Sequence, residues 1–399
     1  MRVRPRVLMV TGAYFPELSG GGLQARAVVR ALADRVAFSV LTTSADAGLP
    51  ARSDEDGVRI RRVFVEPRSG ASQLRAAVRL AVSFVRAARR FEIVNLHGFS
   101  RKAILLVILS RLLGKRFILT LQTGVHDEPA GVRAIGALAY WAYRQADLYI
   151  SVSPGLSRAY RDAGLPVSRL REISNAVDTE RFRPAVQGER DALRRELGLP
   201  NDVPLVLFVG FFSRDKRPNL LYDAWAQTTV ENASQLLFIG ATRSGYQEVD
   251  PGLAAMIRER ASADGVTTRV HFVESSHTIE KYFRAVDLYV LPSVREGFPI
   301  ALLEAMSSGL PCLATRLRGS TDAIIEDGVD GLLVEPDDVA GFAAGIRSVL
   351  SNRERAARLG AAARASVNAR FSIARTAPDW LAAYCELGAC HGAEAASTS

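Results

Sequence analysis

Glu296 and Glu304 stand eight residues apart in the stretch LPSVREGFPIALLEAMSSGLPCLAT, residues 291–315. Carboxylates can accept hydrogen bonds from sugar hydroxyls. Glu296-Gly297-Phe298-Pro299 reads as a turn, and Pro299 suits the first position of a helix. The pattern predicts a helix from Ile300 to Ser308, stopped by Gly309 and Pro311, then an apolar strand over Leu310 to Thr315. The N–H groups of Gly297, Phe298 and Ile300 are then open to a phosphate or sugar, whereas Pro299 has no N–H. Earlier in the chain, Arg214 and Lys216 follow an apolar run, and Pro218 opens a helix. Two cations beside a helix N-terminus form an anion site. Together these features suit a nucleotide-sugar. The competing reading is a loop–helix–strand unit with surface glutamates and a solvated basic turn.

These residues need a scaffold, and the chain supplies one by alternating apolar, β-rich runs with helical stretches, the pattern of parallel sheets covered on both faces. Strands are expected at Val7–Val10, Ala37–Leu41, Ile60–Val65, Ile93–Leu96, Phe117–Leu121 and Leu148–Val152. A second series comprises Leu205–Val209, Gln235–Ile239, Val270–Phe272, Leu288–Leu291, Cys312–Ala314 and Leu332–Val334. Both series open alike, with VLMVTG and LVLFVG. The fold class expected is α/β, two Rossmann-like domains facing across a cleft. We place an N-terminal domain at 1–183, a linker at 184–203 and a C-terminal domain at 204–373. A last helix, about 374–390, packs back on the first domain, and a small-residue tail at 391–399 is expected to be disordered. Neither opening holds a G-x-G-x-x-G, so no dinucleotide cofactor is indicated.

At 399 residues and 48 % hydrophobic, the chain can bury two sizeable cores. No apolar run reaches the 18 or so residues of a membrane span. Cys312, Cys385 and Cys390 are odd in number and lack a C-x-x-C, a reduced, cytoplasmic pattern. Net charge is +9, but residues 1–186 hold 29 Lys/Arg against 15 Asp/Glu, a net +14, and the remainder is −5. No nucleic-acid motif accompanies this basic half. An anionic membrane face or a phosphate-bearing lipid acceptor fits it better. Asp54 and Asp56 form the D-x-D in RSDEDGV, which reads as a polar turn, so no metal is assigned.

Five segments in order carry a resemblance. They are VLMVTGAYFPELSGGGLQ, SNAVDTERFRP (174–184), FVGFFSRDKRP (208–218), AVDLYVLPS (285–293) and FSIARTAPDWLAAYCEL, with Glu296 and Glu304 as an E-x7-E pair. The chain resembles the GT-B glycosyltransferases, the retaining group called family 4. The resemblance implies a nucleoside-diphosphate sugar as donor substrate, with no separate cofactor and no metal requirement. It implies that Glu304 holds the ribose, that Glu296 contacts the donor sugar, and that Lys216 binds the diphosphate. Gly297, Phe298, Pro299 and Ile300 line the same turn, Val273 meets the base through its backbone, and Gly21 and Gly22 form a loop over the donor before a helix near Leu23. Two departures stand out. Phe211 occupies the family arginine position, with Arg214 as the expected substitute, and Gln122 occupies a family histidine position. His97, ending a strand, is a further site candidate, and His126 lies offset nearby.

From Ser72 to Arg90, Leu74, Val78, Ala81, Val82 and Val85 follow helical spacing. Arg75, Arg79, Arg86, Arg89 and Arg90 fall beside that stripe, as on a helix lying against an anionic membrane or packing on the sheet with its arginines solvated. A second apolar segment, Arg101 to Arg116, is bracketed by Arg101, Lys102, Arg111, Lys115 and Arg116. The function expected is a retaining, metal-independent hexosyltransferase acting on a lipid-linked or cell-surface glycan precursor, cytoplasmic or peripheral on the inner membrane face. The alternatives are a GT-B enzyme acting on a soluble sugar or small metabolite, and a non-catalytic nucleotide-sugar-binding protein.

Overall fold

A computed structural model describes residues 4–228, 233–242 and 248–388. The first elements along the chain are β1 (Arg6–Thr11), α1 (Gly20–Ala31), β2 (Ala37–Ser44), β3 (Arg52–Glu55), β4 (Val58–Phe64), α2 (Gly70–Ala87) and β5 (Ile93–His97). There follow α3 (Lys102–Leu112), β6 (Arg116–Leu121), α4 (Pro129–Ile135), α5 (Ala137–Tyr143), β7 (Leu148–Ser151), α6 (Pro154–Asp162) and β8 (Leu170–Glu172). The second half holds α7 (Glu189–Glu196), β9 (Leu205–Val209), α8 (Pro218–Ala226), β10 (Gln235–Ile239), α9 (Pro251–Ala263), β11 (Val270–Val273), α10 (Ile279–Ala285) and β12 (Leu288–Leu291). It closes with α11 (Ile300–Ser307), β13 (Cys312–Thr315), β14 (Leu332–Val334), α12 (Val339–Leu350), α13 (Arg353–Arg370) and α14 (Ile373–Leu387).

Two compact units result, one comprising the chain up to Ser174 together with the part from Ile373 onward, the other Asn175–Ser372. The first sheet runs β3-β4-β2-β1-β5-β6-β7-β8 and the second β11-β10-β9-β12-β13-β14. Each reverses direction of winding beside its first strand, between β1 and β5 and between β9 and β12, the doubly wound arrangement. All pairings are parallel except β3 with β4. That hairpin turns at Asp56-Gly57, both at positive φ (53° and 74°), as a two-residue Asp-Gly turn requires. The sequence pattern missed β3 and β8. β3 is too polar to read as a strand, and β8 is three residues long.

Parallel strands covered on both faces read as unbroken apolar runs, as in LVLFV of β9. The unit 1 core gathers Val7, Met9, Val28, Ile93 and Ile118 with Trp380 and Tyr384 of α14. There the Asn95 amide donates to the Tyr384 hydroxyl at 2.9 Å. In unit 2, Val206, Phe208, Leu236, Phe238 and Val290 pack with Trp225, Phe342 and Ile346.

Four expectations need correction. The units part between Ser174 and Asn175, not near 184, because the following segment is tied into unit 2. Arg364 reaches the carbonyls of Thr179, Phe182 and Ser307 at 2.7–2.9 Å. The expected linker 184–203 is likewise bound in. Fully buried Arg194 donates to the carbonyls of Pro200, Asn201, Val203 and Ala285 and pairs with Asp287 at 2.7 Å. Next, α1 begins at Gly20 rather than Leu23. The Ser19 hydroxyl caps it by accepting from the Gly22 N–H, so the glycines form the first helical turn. Finally, α2 ends at Ala87, and Arg89 and Arg90 fall on a 3-10 turn, while Arg75, Arg79 and Arg86 stay on the helix. Of the cysteines, Cys312 is free and buried. Cys390 and the tail 391–399 lie outside the described residues.

Candidate functional site

In a doubly wound sheet, ligands bind beyond the carboxyl ends of the strands where the winding reverses. In unit 2 that point lies between β9 and β12, and the two loops leaving those strands carry the predicted residues. The loops are joined crosswise. Asp215 pairs with Arg295, Lys216 pairs with Glu296 at 2.6 Å, and the Val294 N–H donates to the Asp215 carbonyl at 2.8 Å. The Glu296 carboxylate is only 7 % exposed. Burying it is tolerable because a cation meets it directly. Arg214 is the outlier, its side chain 86 % exposed and paired with Asp250 at 3.4 Å. Arg295 is a cation that motif reading missed. Its signal was the position next to Glu296.

Pro299 caps α11 (φ −70°, ψ 112°) instead of opening it, and no side chain caps the helix, so its first amides are left to a ligand or solvent. Phe298 is buried with its ring 5.3 Å from that of Phe371, and its carbonyl accepts from Asn175 at 2.8 Å. The turn of Gly297, Phe298, Pro299 and Ile300 is therefore fixed by packing. Gly309, at φ 75°, ends the helix, with its N–H donating to Met306 and that of Leu310 to Ala305. Glu304 is buried within α11. Desolvation pushes its pKa up to about 8, with Arg181 opposing the rise and Glu280 adding to it. It is thus mostly a neutral acid at pH 7. The Val273 carbonyl accepts from Gly240 at 2.9 Å. A Cβ on Gly240 would fall 1.8 Å from the Gly210 oxygen, so only glycine lets the ends of β9 and β10 meet.

Unit 1 presents a corresponding edge. A Cβ on Gly22 would lie 2.3 Å from the Ala13 carbonyl, and Gly21 abuts the Gln122 side chain. Gln122 Nε2 lies 3.2 Å from His97 Nδ1. His97 stacks on Trp380, with centroids 5.7 Å apart and planes 8° apart. Burial lowers its pKa to about 3, so the ring is neutral. The structure thus joins Gly21, Gln122 and His97, while His126 is exposed. Sequence reading missed Asp127, which is buried and accepts the N–H groups of Phe99 (2.5 Å), Gln122 (2.7 Å) and Thr123 (2.8 Å). Desolvation raises its pKa against those three donors. It locks the loops after β5 and β6 together. Lys102, read from the sequence only as a cation flanking an apolar segment, donates its Nζ to the Thr11 carbonyl at 2.8 Å, and burial lowers its pKa to about 8. Among the described residues no group of three or more His, Cys, Asp or Glu could hold a metal ion.

The family model "Glycosyl transferases group 1" matches residues 189–366, and "Glycosyltransferase Family 4" matches residues 18–181. The D-inositol 3-phosphate glycosyltransferase of Geodermatophilus obscurus is 31 % identical over 388 residues, covering 90 % of this chain and 82 % of that protein. The protein of the same name from Nocardia farcinica is 35 % identical over 239 residues, 58 % of this chain and 51 % of that one. The crystal structure of HepE from Anabaena in complex with UDP and glucose matches the fold at a TM-score of 0.78 and 19 % identity, covering 94 % of this chain and 98 % of that one. Two Rossmann-like units of this order, matched by both family models, make the chain a GT-B glycosyltransferase that belongs to family 4.

Proposed function

We propose that this glycosyltransferase moves a hexose from a UDP-sugar to a hydroxyl of a soluble, phosphate-bearing small polyol, with retention and without a metal. The observation that carries the donor half is the Lys216–Glu296 pair between the two loops at the winding reversal, with uncapped α11 amides beside it. Lys216, Arg295 and those amides supply positive potential for a departing diphosphate. Glu304 receives the ribose hydroxyls, Glu296 the sugar hydroxyls. On unit 1, neutral His97 and Gln122 present hydrogen-bonding groups without charge. In the reaction the bond from the anomeric carbon to the β-phosphate oxygen breaks. The acceptor oxygen bonds to that carbon on the same face, and its proton passes to the leaving phosphate. Positioning and electrostatics then provide the rate. The relatives' names support the small-metabolite alternative over the lipid-linked glycan precursor expected from charge.

A donor and acceptor panel tests this. UDP-, GDP- and ADP-sugars are scored for hydrolysis and for thermal stabilisation, which rises with occupancy. Inositol phosphates and lipid extracts are then supplied as acceptors. The expected result is one UDP-sugar hydrolysed, transfer to the soluble phosphate, and loss of both in Lys216→Ala and Glu304→Ala. Transfer only to lipid, or a response only to GDP- or ADP-sugars, would overturn the corresponding half.

A further inference from the structure

α2 shows three arcs at about 100° per residue. Ser72, Ala76, Leu80 and Phe84 are buried. Leu74, Val78, Val82 and Val85 lie on a different arc of about 80° and are exposed, Leu74 by 69 % and Val78 by 57 %. Arg75, Arg79 and Arg86 occupy the arc between them. The apolar spacing read from the sequence therefore belongs to the solvent side, and the helix already has its packing face. Singly exposed apolar residues need no explanation, but a stripe of four does.

The surroundings extend the pattern. α2 packs beside α3, and α3 beside α5. Leu112 on α3 (77 % exposed) and Trp141 on α5 (44 %) are also open. None of α2, α3, α4 or α5 contains an aspartate or glutamate. Burial, then the like charges of Arg52, Arg86 and Arg79, depress the pKa of Arg61, which records how closely these cations crowd. A protein partner would pair such a face residue by residue. A bilayer needs only apolar side chains at acyl depth and cations at headgroup level, with an aromatic at the boundary.

From this geometry we infer that the α2–α3–α5 face of unit 1 docks on anionic lipid bilayers, the α2 valine–leucine stripe entering the interface and the flanking arginines meeting acidic headgroups. The inference goes beyond the acceptor reading and is tested without turnover. Full-length protein is sedimented with vesicles of phosphatidylcholine alone and with 30 % phosphatidylglycerol, at low and high salt. Binding is expected only to the anionic vesicles and to weaken with salt. At about 1 kcal/mol per arginine, Arg75→Gln/Arg79→Gln/Arg86→Gln weakens it on the order of 100-fold. Val78→Asn/Val82→Asn weakens it at least tenfold while leaving donor-induced thermal stabilisation unchanged, which shows that the fold is intact. Absence of binding to anionic vesicles overturns the proposal, as does binding that survives the valine changes. So does a wild-type dimer in solution that Val78→Asn/Val82→Asn converts to monomer, since the stripe would then serve a second copy of the chain.

Discussion

Glu304 offers a quantitative test of the donor site, because its charge state is set by burial rather than by a partner. With a pKa of about 8 against 4.5 for the free side chain, it holds about 0.9 proton at pH 7. If it receives two ribose hydroxyls as a carboxylate, donor binding pulls its pKa down and expels that proton. Calorimetry with UDP in buffers of different ionisation enthalpy should register release of about 0.9 proton at pH 7, about 0.1 at pH 9, and none in Glu304→Gln. The same shift acts on stability. Between the two pKa values the native state binds more protons than the unfolded chain, so stability falls as pH rises and levels off above about pH 8. From pH 6.5 to 8.5 the loss attributable to Glu304 is about 2 kcal/mol, roughly 4–8 °C in Tm for a unit of this size. Lys102, whose pKa is lowered, contributes the opposite slope at higher pH, so the measured quantity is wild type minus Glu304→Gln. No proton release at pH 7, or parallel pH–Tm curves for the two proteins, would refute a buried, neutral Glu304.

Four further outcomes are expected. Lys216→Ala should cut donor hydrolysis by 100-fold or more and cost about 2 kcal/mol, since it strands the buried Glu296 carboxylate; adding Glu296→Gln should restore stability but not activity, read by calorimetry and turnover. Arg194→Met leaves four carbonyls unanswered and Asp287 with only Arg190 and the Leu205 N–H, so a loss of about 3–5 kcal/mol and new proteolytic cleavage within 184–203 should follow, with resistance to cleavage counting against a structural linker. Asp127→Ala removes the acceptor from three amides and should lower stability by about 3 kcal/mol; a change in Tm under 2 °C would mean these loops are held by something else. Arg295→Gln should weaken UDP binding more than Arg214→Gln, and the reverse order would return the diphosphate role to Arg214.

The strands were legible because a parallel strand buried on both faces has little choice but to be a short apolar run, and Gly309 before Pro311 marks a helix end by backbone geometry alone. The Lys216 and Glu296 loops were legible as types and spacing, but their crossed pairing was not, since pairing is decided by which strands neighbour each other. Arg194 looked like one more charge in a polar connector. Only the carbonyls of residues 200, 201, 203 and 285, gathered around it by the fold, turn it into a structural pin. α2 misled for a different reason. Two apolar stripes of the same period coexist on it, and periodicity cannot say which one faces the sheet.

The return of α14 to the first unit means that unit 2 is, in topological terms, an insertion. During synthesis the chain from Asn175 to Ser372 has all its parts before the last helix is made. Unit 1, though started first, waits for Trp380 and Tyr384 to fill the core beside Asn95 and His97. The half of the enzyme made last therefore includes the piece that completes the half begun first. Stacking of His97 on Trp380 is coupled to translation reaching α14, so a chain truncated before Ile373 would hold all the parts of unit 2 and lack the helix that fills the unit 1 core.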